Sequence, residues 1–245
     1  MKSSRILLIS ALLAALVTGC GGEEPSEQES VKPAPEARSV FESVIHDLET
    51  QGLYPDGSTS ADKGTDYVYI EDYYVDQYAI EDIDRDGAEE LILRHGDDCM
   101  AGMFVAVYGF DVETETLHTE LLEWPGLYFY DNGLIRADAS HNHTKGASWP
   151  YTLYRYDSEQ DLYVPESAAH SWKQELQPEG YPAEADVSGT GSVYFVNDAD
   201  HMLEESNPMD EADYLAWEQG WQTDAQELQL DWQEVQVPHP HPVEE

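Results

Sequence analysis

From Tyr67 onward the chain is divided into short β-prone runs, and that division limits its folding options more than any other feature. The runs YVYI, QYAIED, ELILR, MFVAVYGF, TLHTELL, LYFYDNGLIRA, YTLYRY and LYV follow in turn, each bounded by Gly, Asp, Asn or Pro. They are rich in the β-branched and aromatic residues that suit a pleated, half-buried surface. Connections of hairpin length, such as DVETET and DSEQD, join several of them. The natural reading is an antiparallel, β-rich middle.

Helical patterns flank this region. Val40, Phe41, Val44, Ile45 and Leu48 recur on one face of a segment from Pro35 to Gly52, where the glycine can stop a helix. Near the other end, Asn207-Pro208 offers an N-cap with proline at the first helical position. Met209, Ala212, Leu215 and Ala216 would form one face of that helix, widened by Tyr214, Trp217 and Trp221. Leu228, Leu230 and Trp232 alternate with polar residues, as in a half-buried final strand, and the tail VPHPHPVEE from Val237 should fray. The expected fold class is mainly β with flanking helices (α+β), with antiparallel hairpins and sheets in a single domain over residues 37–238.

A weak repeat runs through the β region. YGFDVE from Tyr108 resembles YRYDSE from Tyr154, forty-six positions later, and another strand-like run precedes each. A period near 45 falls in the range of propeller blades, but two copies cannot close a ring of roughly four to eight. Either the halves are incomplete propeller-like blades, or two hairpins share a similar turn.

Lysine and arginine number 11 against 51 acidic residues, a formal charge of −40. Such a field repels nucleic acid and anionic lipid head groups, which argues against binding either through a basic patch. It favours cations and basic partners, although adaptation to salty surroundings would produce the same surface. The 16 tyrosines argue against a disordered acidic chain.

The first residues look like a processing signal. Lys2 and Arg5 lead into an apolar run, Ile6 to Val17, too short to span a bilayer comfortably, followed by Val17-Thr18-Gly19-Cys20. This resembles a bacterial lipobox. The resemblance implies a lipoprotein signal peptide over residues 1–19, lipidation of Cys20, and an extracytoplasmic protein anchored to the membrane by that lipid. An ordinary secretory signal with a chance cysteine is the alternative. Residues 20–36, rich in Gly, Pro, Ser and Glu, read as a disordered acidic tether, and 239–245 as a disordered tail. If Cys20 carries lipid, Cys99 has no intrachain disulfide partner and reads as a small buried hydrophobe, with a reactive thiol as the alternative.

The stretch IEDIDRDGAEELIL, Ile80 to Leu93, carries the clearest chemistry. Numbered from Asp82, aspartates occupy positions 1, 3 and 5 (Asp82, Asp84, Asp86) and Gly87 position 6. The carbonyl of Ala88 falls at 7 and Glu90 at 9. A hard Ca²⁺ ion takes six to eight oxygens, and alternate side chains of a tight loop can converge on one point. Position 12 is Leu93 rather than glutamate, and the flanks are strand-like, so this is no EF-hand. An all-oxygen ligand set argues against zinc. The alternative is an acidic surface hairpin without metal.

The loop resembles the short calcium loops of FG-GAP and VCBS-type repeats, D-x-D-x-D-G-x-x-[DE]-L between two strands. That resemblance implies a structural Ca²⁺ held by Asp82, Asp84, Asp86 and Glu90, with Ala88 through its backbone. More widely, Tyr78 to Leu91 and the segment DEADYLAWEQGW are similar to uncharacterised extracellular lipoproteins of clostridial and related gut bacteria, a family with no settled activity. Arg85 stands where that family usually has glycine, at a solvent-facing position that removes no ligand.

Other constellations carry less. His141 and His143 form an H-x-H in a polar loop that could hold a transition metal, with His95, His118 or His170 joining; polar loop chemistry explains them as well. No G-x-S-x-G elbow is present, and DVSGTGS from Asp186 lacks a P-loop lysine and reads as a hairpin turn. Trp124, Tyr128, Tyr130 and Trp149 could form a binding platform or simply core and cross-strand pairs. The leading expectation is a non-enzymatic surface protein that binds an unknown extracellular ligand. A hydrolase acting on glycans or peptides and a solute-binding lipoprotein are the competing readings.

Overall fold

The computed structural model describes residues 36–59, 62, 73–96 and 102–238. The expected signal peptide, Cys20, nearly all of the tether, the YVYI run, Cys99 and the tail beyond Pro238 lie outside them.

Helix α1 (Ala37–Gln51) opens the described chain. It ends where Gly52 adopts a left-handed φ of 63° and donates its N–H to the Leu48 carbonyl. Strands β1 (Tyr73–Glu81), β2 (Glu90–His95), β3 (Phe104–Asp111) and β4 (Thr116–Glu123) follow as an antiparallel meander. A second meander contains β5 (Leu127–Phe129), β6 (Leu134–Asp138), β7 (Tyr151–Asp157) and β8 (Leu162–Lys173). Then come β9 (Ser192–Asn197), β10 (Met209–Asp210), helix α2 (Glu211–Gln222) and β11 (Gln233–Pro238). The strands make a five-stranded sheet, β11-β1-β2-β3-β4, and a six-stranded sheet, β10-β9-β8-β7-β6-β5. The fold is mainly β and antiparallel, as the turn-bounded runs require, and the described strands close neither a barrel nor a propeller.

The two sheets stack. Ile92, Val105 and Val107 of the first meet Leu127, Phe129, Ile135 and Tyr163 of the second in a shared core. On its other face the first sheet is covered by α1, whose Phe41 and Leu48 lie on Leu91, Leu93, Ala106 and Tyr108. Helix α2 covers the far face of the second sheet, placing Tyr214 against Tyr151 and Leu153. Because both faces of β2 are covered, its run Leu91-Ile92-Leu93 is continuously apolar instead of alternating.

The sequence repeat is a repeat of structure. In β3–β4, Val107 pairs with Leu121 and Tyr108 with Thr119, so Glu120 is the extra residue of a β-bulge. In β7–β8, Leu153 pairs with Ser167 and Tyr154 with Pro165, so Glu166 is the extra residue at the equivalent place. The hairpin turns match too. Asp111 Oδ1 accepts from Glu113 N and Thr114 N, and Asp157 Oδ1 accepts from Glu159 N and Gln160 N. Glu115 and Asp161 close them at φ 54° and 56°. Val107 faces the other sheet while its counterpart Leu153 faces α2, so the two halves stack same face forward, like successive blades.

Four local expectations are corrected. Helix α2 starts at Glu211, capped by Asp210, whose side chain accepts from Ala212 N; Asn207-Pro208 instead leads into β10. Its inner face is Tyr214, Trp217 and Trp221, while Ala212, Leu215 and Ala216 are exposed. The larger aromatics win because Tyr194 offers a stacking partner 4.2 Å from Tyr214. Leu228, Leu230 and Trp232 do pack on the shared core, but they belong to an extended crossing between sheets, and the last strand begins at Gln233. Val237 does not fray: it is fully buried in β11, under α1.

Candidate metal centre

The acidic loop joins β1 to β2, where cross-strand pairing ends at Glu81 and Glu90. Three Asx-type hydrogen bonds wind it: Asp82 Oδ1 accepts from Arg85 N at 2.9 Å, Asp84 Oδ1 from Asp86 N at 2.9 Å, and Asp86 Oδ1 from Ala88 N at 2.7 Å. Gly87 takes φ 97°, closed to most side chains, and Arg85 takes φ 69°. Each of Asp82, Asp84 and Asp86 offers a carboxylate oxygen, all within 4.8 Å of one another, so the three could hold a metal ion. Ala88 is exposed. Glu90 is turned inward with 2% exposure, its Oε2 accepting from Ile83 N at 2.8 Å, and it stands outside that close triad.

The electrostatics are those of crowded carboxylates. Burial pushes Glu90 up to about 9, opposed by the Ile83 N–H and reinforced by Asp84, Glu120 and Asp86. Burial also raises Asp84 above the ordinary carboxylate range, with Asp86 and Asp82 adding repulsion against the hydrogen bond from Asp86 N. Among the described residues, no lysine or arginine ion pair reaches these groups.

A second cluster lies alongside. His118 and Glu120 on β4 and Asp161 on the β7–β8 turn each offer a ligand atom within 4.8 Å of the others. Glu120 is driven up to about 8, first by burial and then by Asp161, Asp84 and Asp86, which places the two clusters in one field. Tyr156 stands beside both clusters, donating to Asp161 Oδ1 at 2.6 Å, while its own burial, with the Asp161 and Asp84 carboxylates, raises its hydroxyl above the ordinary range. Sequence reading missed this cluster, although two signals were present: Gly109 inside a strand, which marks a bulge or close approach, and adjacent Leu121-Leu122 breaking the alternation of β4.

The other histidines go elsewhere. His95 is buried between Asp76 and Tyr54, its Nδ1 2.9 Å from each. His170 stacks on Phe195, 4.6 Å between centroids, with Nε2 3.1 Å from the Glu204 carbonyl. His141 and His143 stack on each other in a loop organised by Asn142, whose Nδ2 donates to the Gly146 carbonyl. Among the described residues, H-x-H joins none of the other histidines in a cluster of three potential ligands. DVSGTGS is not a hairpin turn: it ends the long β8–β9 connection, where the Asp186 carboxylate accepts from Thr190 N and Gly191 N. Of the candidate platform aromatics, Tyr130 is committed to Trp221 edge-on at 5.4 Å, while Tyr128 and Trp149 are exposed. A groove of about 230 Å³ beside Tyr128, Arg94 and Trp232 and another of about 430 Å³ beside α1 contain none of the clustered acids. Compared with family models, curated proteins and solved structures, the chain matches none.

Proposed function

We propose that the protein is a lipid-anchored, extracytoplasmic binding module whose β1–β2 loop holds a structural Ca²⁺. The observation that supports this reading is the convergence of Asp82, Asp84 and Asp86 within 4.8 Å, on a loop that supplies only oxygen donors. A bound Ca²⁺ offsets the repulsion among these carboxylates and holds the ends of β1 and β2 in register, leaving the outer surfaces of the stacked sheets to meet an extracellular ligand. Anchoring rests on the lipobox resemblance at Cys20, with the folded unit carried beyond the membrane by the acidic segment that follows. No helix among the described residues is long and apolar enough to cross a membrane.

Melting of the full chain in calcium and in chelator tests the metal. Calcium at a hundred times its dissociation constant should add about 2.7 kcal/mol, or about 5–10 °C for a domain of this size. Asp82→Ala should remove the shift. Equal melting in calcium and chelator would overturn the assignment. Anchoring is read separately: Cys20→Ser should move the protein from the membrane fraction to the soluble one.

A further inference from the structure

Glu120 carries a carboxyl group into the interior, and among the described residues no lysine or arginine pairs with it. Its side chain is 3% exposed, and among the described residues its Oε2 has no hydrogen-bond partner. A buried, unpaired carboxylate is costly unless a cation or a donor joins it. The bulge in β4 re-aims this side chain, and Gly109 on β3 makes room for it: a Cβ there would lie 2.1 Å from Glu120 Oε1 and 2.7 Å from His118 Cε1.

In the second half of the molecule the same bulge carries a half-exposed carboxylate with a protein cation beside it. The counterpart of Glu120 is Glu166, forty-six positions on, and the counterpart of Gly109 is Arg155. Arg155 Nη2 stands 3.0 Å from Glu166 Oε2. At the equivalent place the first half has Gly109 in place of that arginine and carries His118, whose Nε2 is 3.6 Å from Glu120 Oε1 and 3.1 Å from Asp161 Oδ2. That nitrogen is nevertheless without a hydrogen-bond partner among the described residues, so the three groups converge on a point rather than pairing off.

We propose that His118, Glu120 and Asp161 form a second cation site, separate from the β1–β2 loop, that takes a divalent first-row transition metal of the Zn²⁺ type. One imidazole and two carboxylates suit such an ion, whereas the all-oxygen loop suits Ca²⁺. The ligands come from both sheets, so the ion staples β4 to the β7–β8 turn. Three protein donors leave a further position for water.

The test is zinc binding to the metal-stripped full chain, read by competition with a chromophoric chelator. Wild type should take up one equivalent that His118→Gln, Glu120→Gln and Asp161→Asn each weaken at least tenfold. Asp161 sits on an exposed turn, so its variant keeps the test usable should Glu120→Gln fail to fold. The double variant His141→Gln/His143→Gln and the loop variant Asp82→Asn should bind zinc as wild type does. Undiminished binding in His118→Gln and Asp161→Asn would overturn the site, and so would loss tracking the H-x-H pair. Loss of zinc in Asp82→Asn would merge the two clusters and overturn their separation, whereas the calcium reading is judged by calcium-dependent melting alone.

Discussion

Glu120 occupies the space that a side chain on Gly109 would need, with its Oε1 only 2.1 Å from where a Cβ would sit. Glycine inside a central strand is normally a weakness; here it admits a carboxylate. Gly109→Ala should fold, because the obstructing atoms are side-chain ends, but at a cost of about 1–3 kcal/mol as Glu120 and His118 are displaced. Chemical denaturation measures the cost, and zinc affinity should fall in the same variant.

The acidic loop responds to backbone changes in opposite directions. Gly87 has φ 97°, and a methyl group added to it would meet no atom within 4 Å, so Gly87→Ala should cost about 1–2 kcal/mol through conformation alone. Arg85 is exposed at φ 69°. Arg85→Gly relieves a similar strain, less about 0.4–1 kcal/mol of unfolded-chain entropy, and should leave the protein as stable or slightly more so. Melting of both variants in chelator separates these effects from metal binding.

Stability without metal should fall as pH rises. Glu90 and Glu120 are raised to about 9 and about 8 from an ordinary 4.5. The folded chain keeps their protons where the unfolded chain has released them. Their contribution is therefore complete below about 4.5 and lost as pH climbs through about 8 and 9. Melting in chelator from pH 5 to pH 9 should show a decline that Glu90→Gln and Glu120→Gln each flatten. The glutamine at 90 keeps an acceptor for Ile83 N.

Helix α2 offers a test of which face is inside. Tyr214 is buried on Tyr151 and Leu153, and its hydroxyl lies 3.1 Å from that of Tyr151. Tyr214→Ala should cost about 3–5 kcal/mol, as large aromatic truncations do. Leu215 is 52% exposed, and Leu215→Ala should change stability by less than about 0.5 kcal/mol. Denaturant midpoints of the two variants decide it.

Much of the architecture is legible in the sequence because its causes are local. Turn residues punctuate the strands, and α1 ends at the glycine to which its periodicity points. Helix α2 begins later than its sequence suggests, because Asn207-Pro208 carries a good capping signal that pairing of Met209 with Tyr194 overrides. Its buried face is hidden from the sequence for a similar reason. Leu215 and Tyr214 are equally eligible by hydrophobicity, and only the ring of Tyr194 across the interface selects between them.

The sequence by itself determined the β-rich, turn-punctuated middle, the repeat of forty-six and the spacing of Asp82, Asp84 and Asp86, because each depends on residues a few positions apart or on a simple self-comparison. LYFYDNGLIRA, read as one run, is two strands, and LYV opens a strand that continues to Lys173. Only the tertiary structure decided that His118 and Glu120 meet Asp161 and that the repeated halves stack same face forward. Those relations depend on a bulge that turns one residue out of register and on the packing of one sheet against another. No short window of sequence contains both partners of such a contact, so what Glu120 faces is settled only when the sheets close over it.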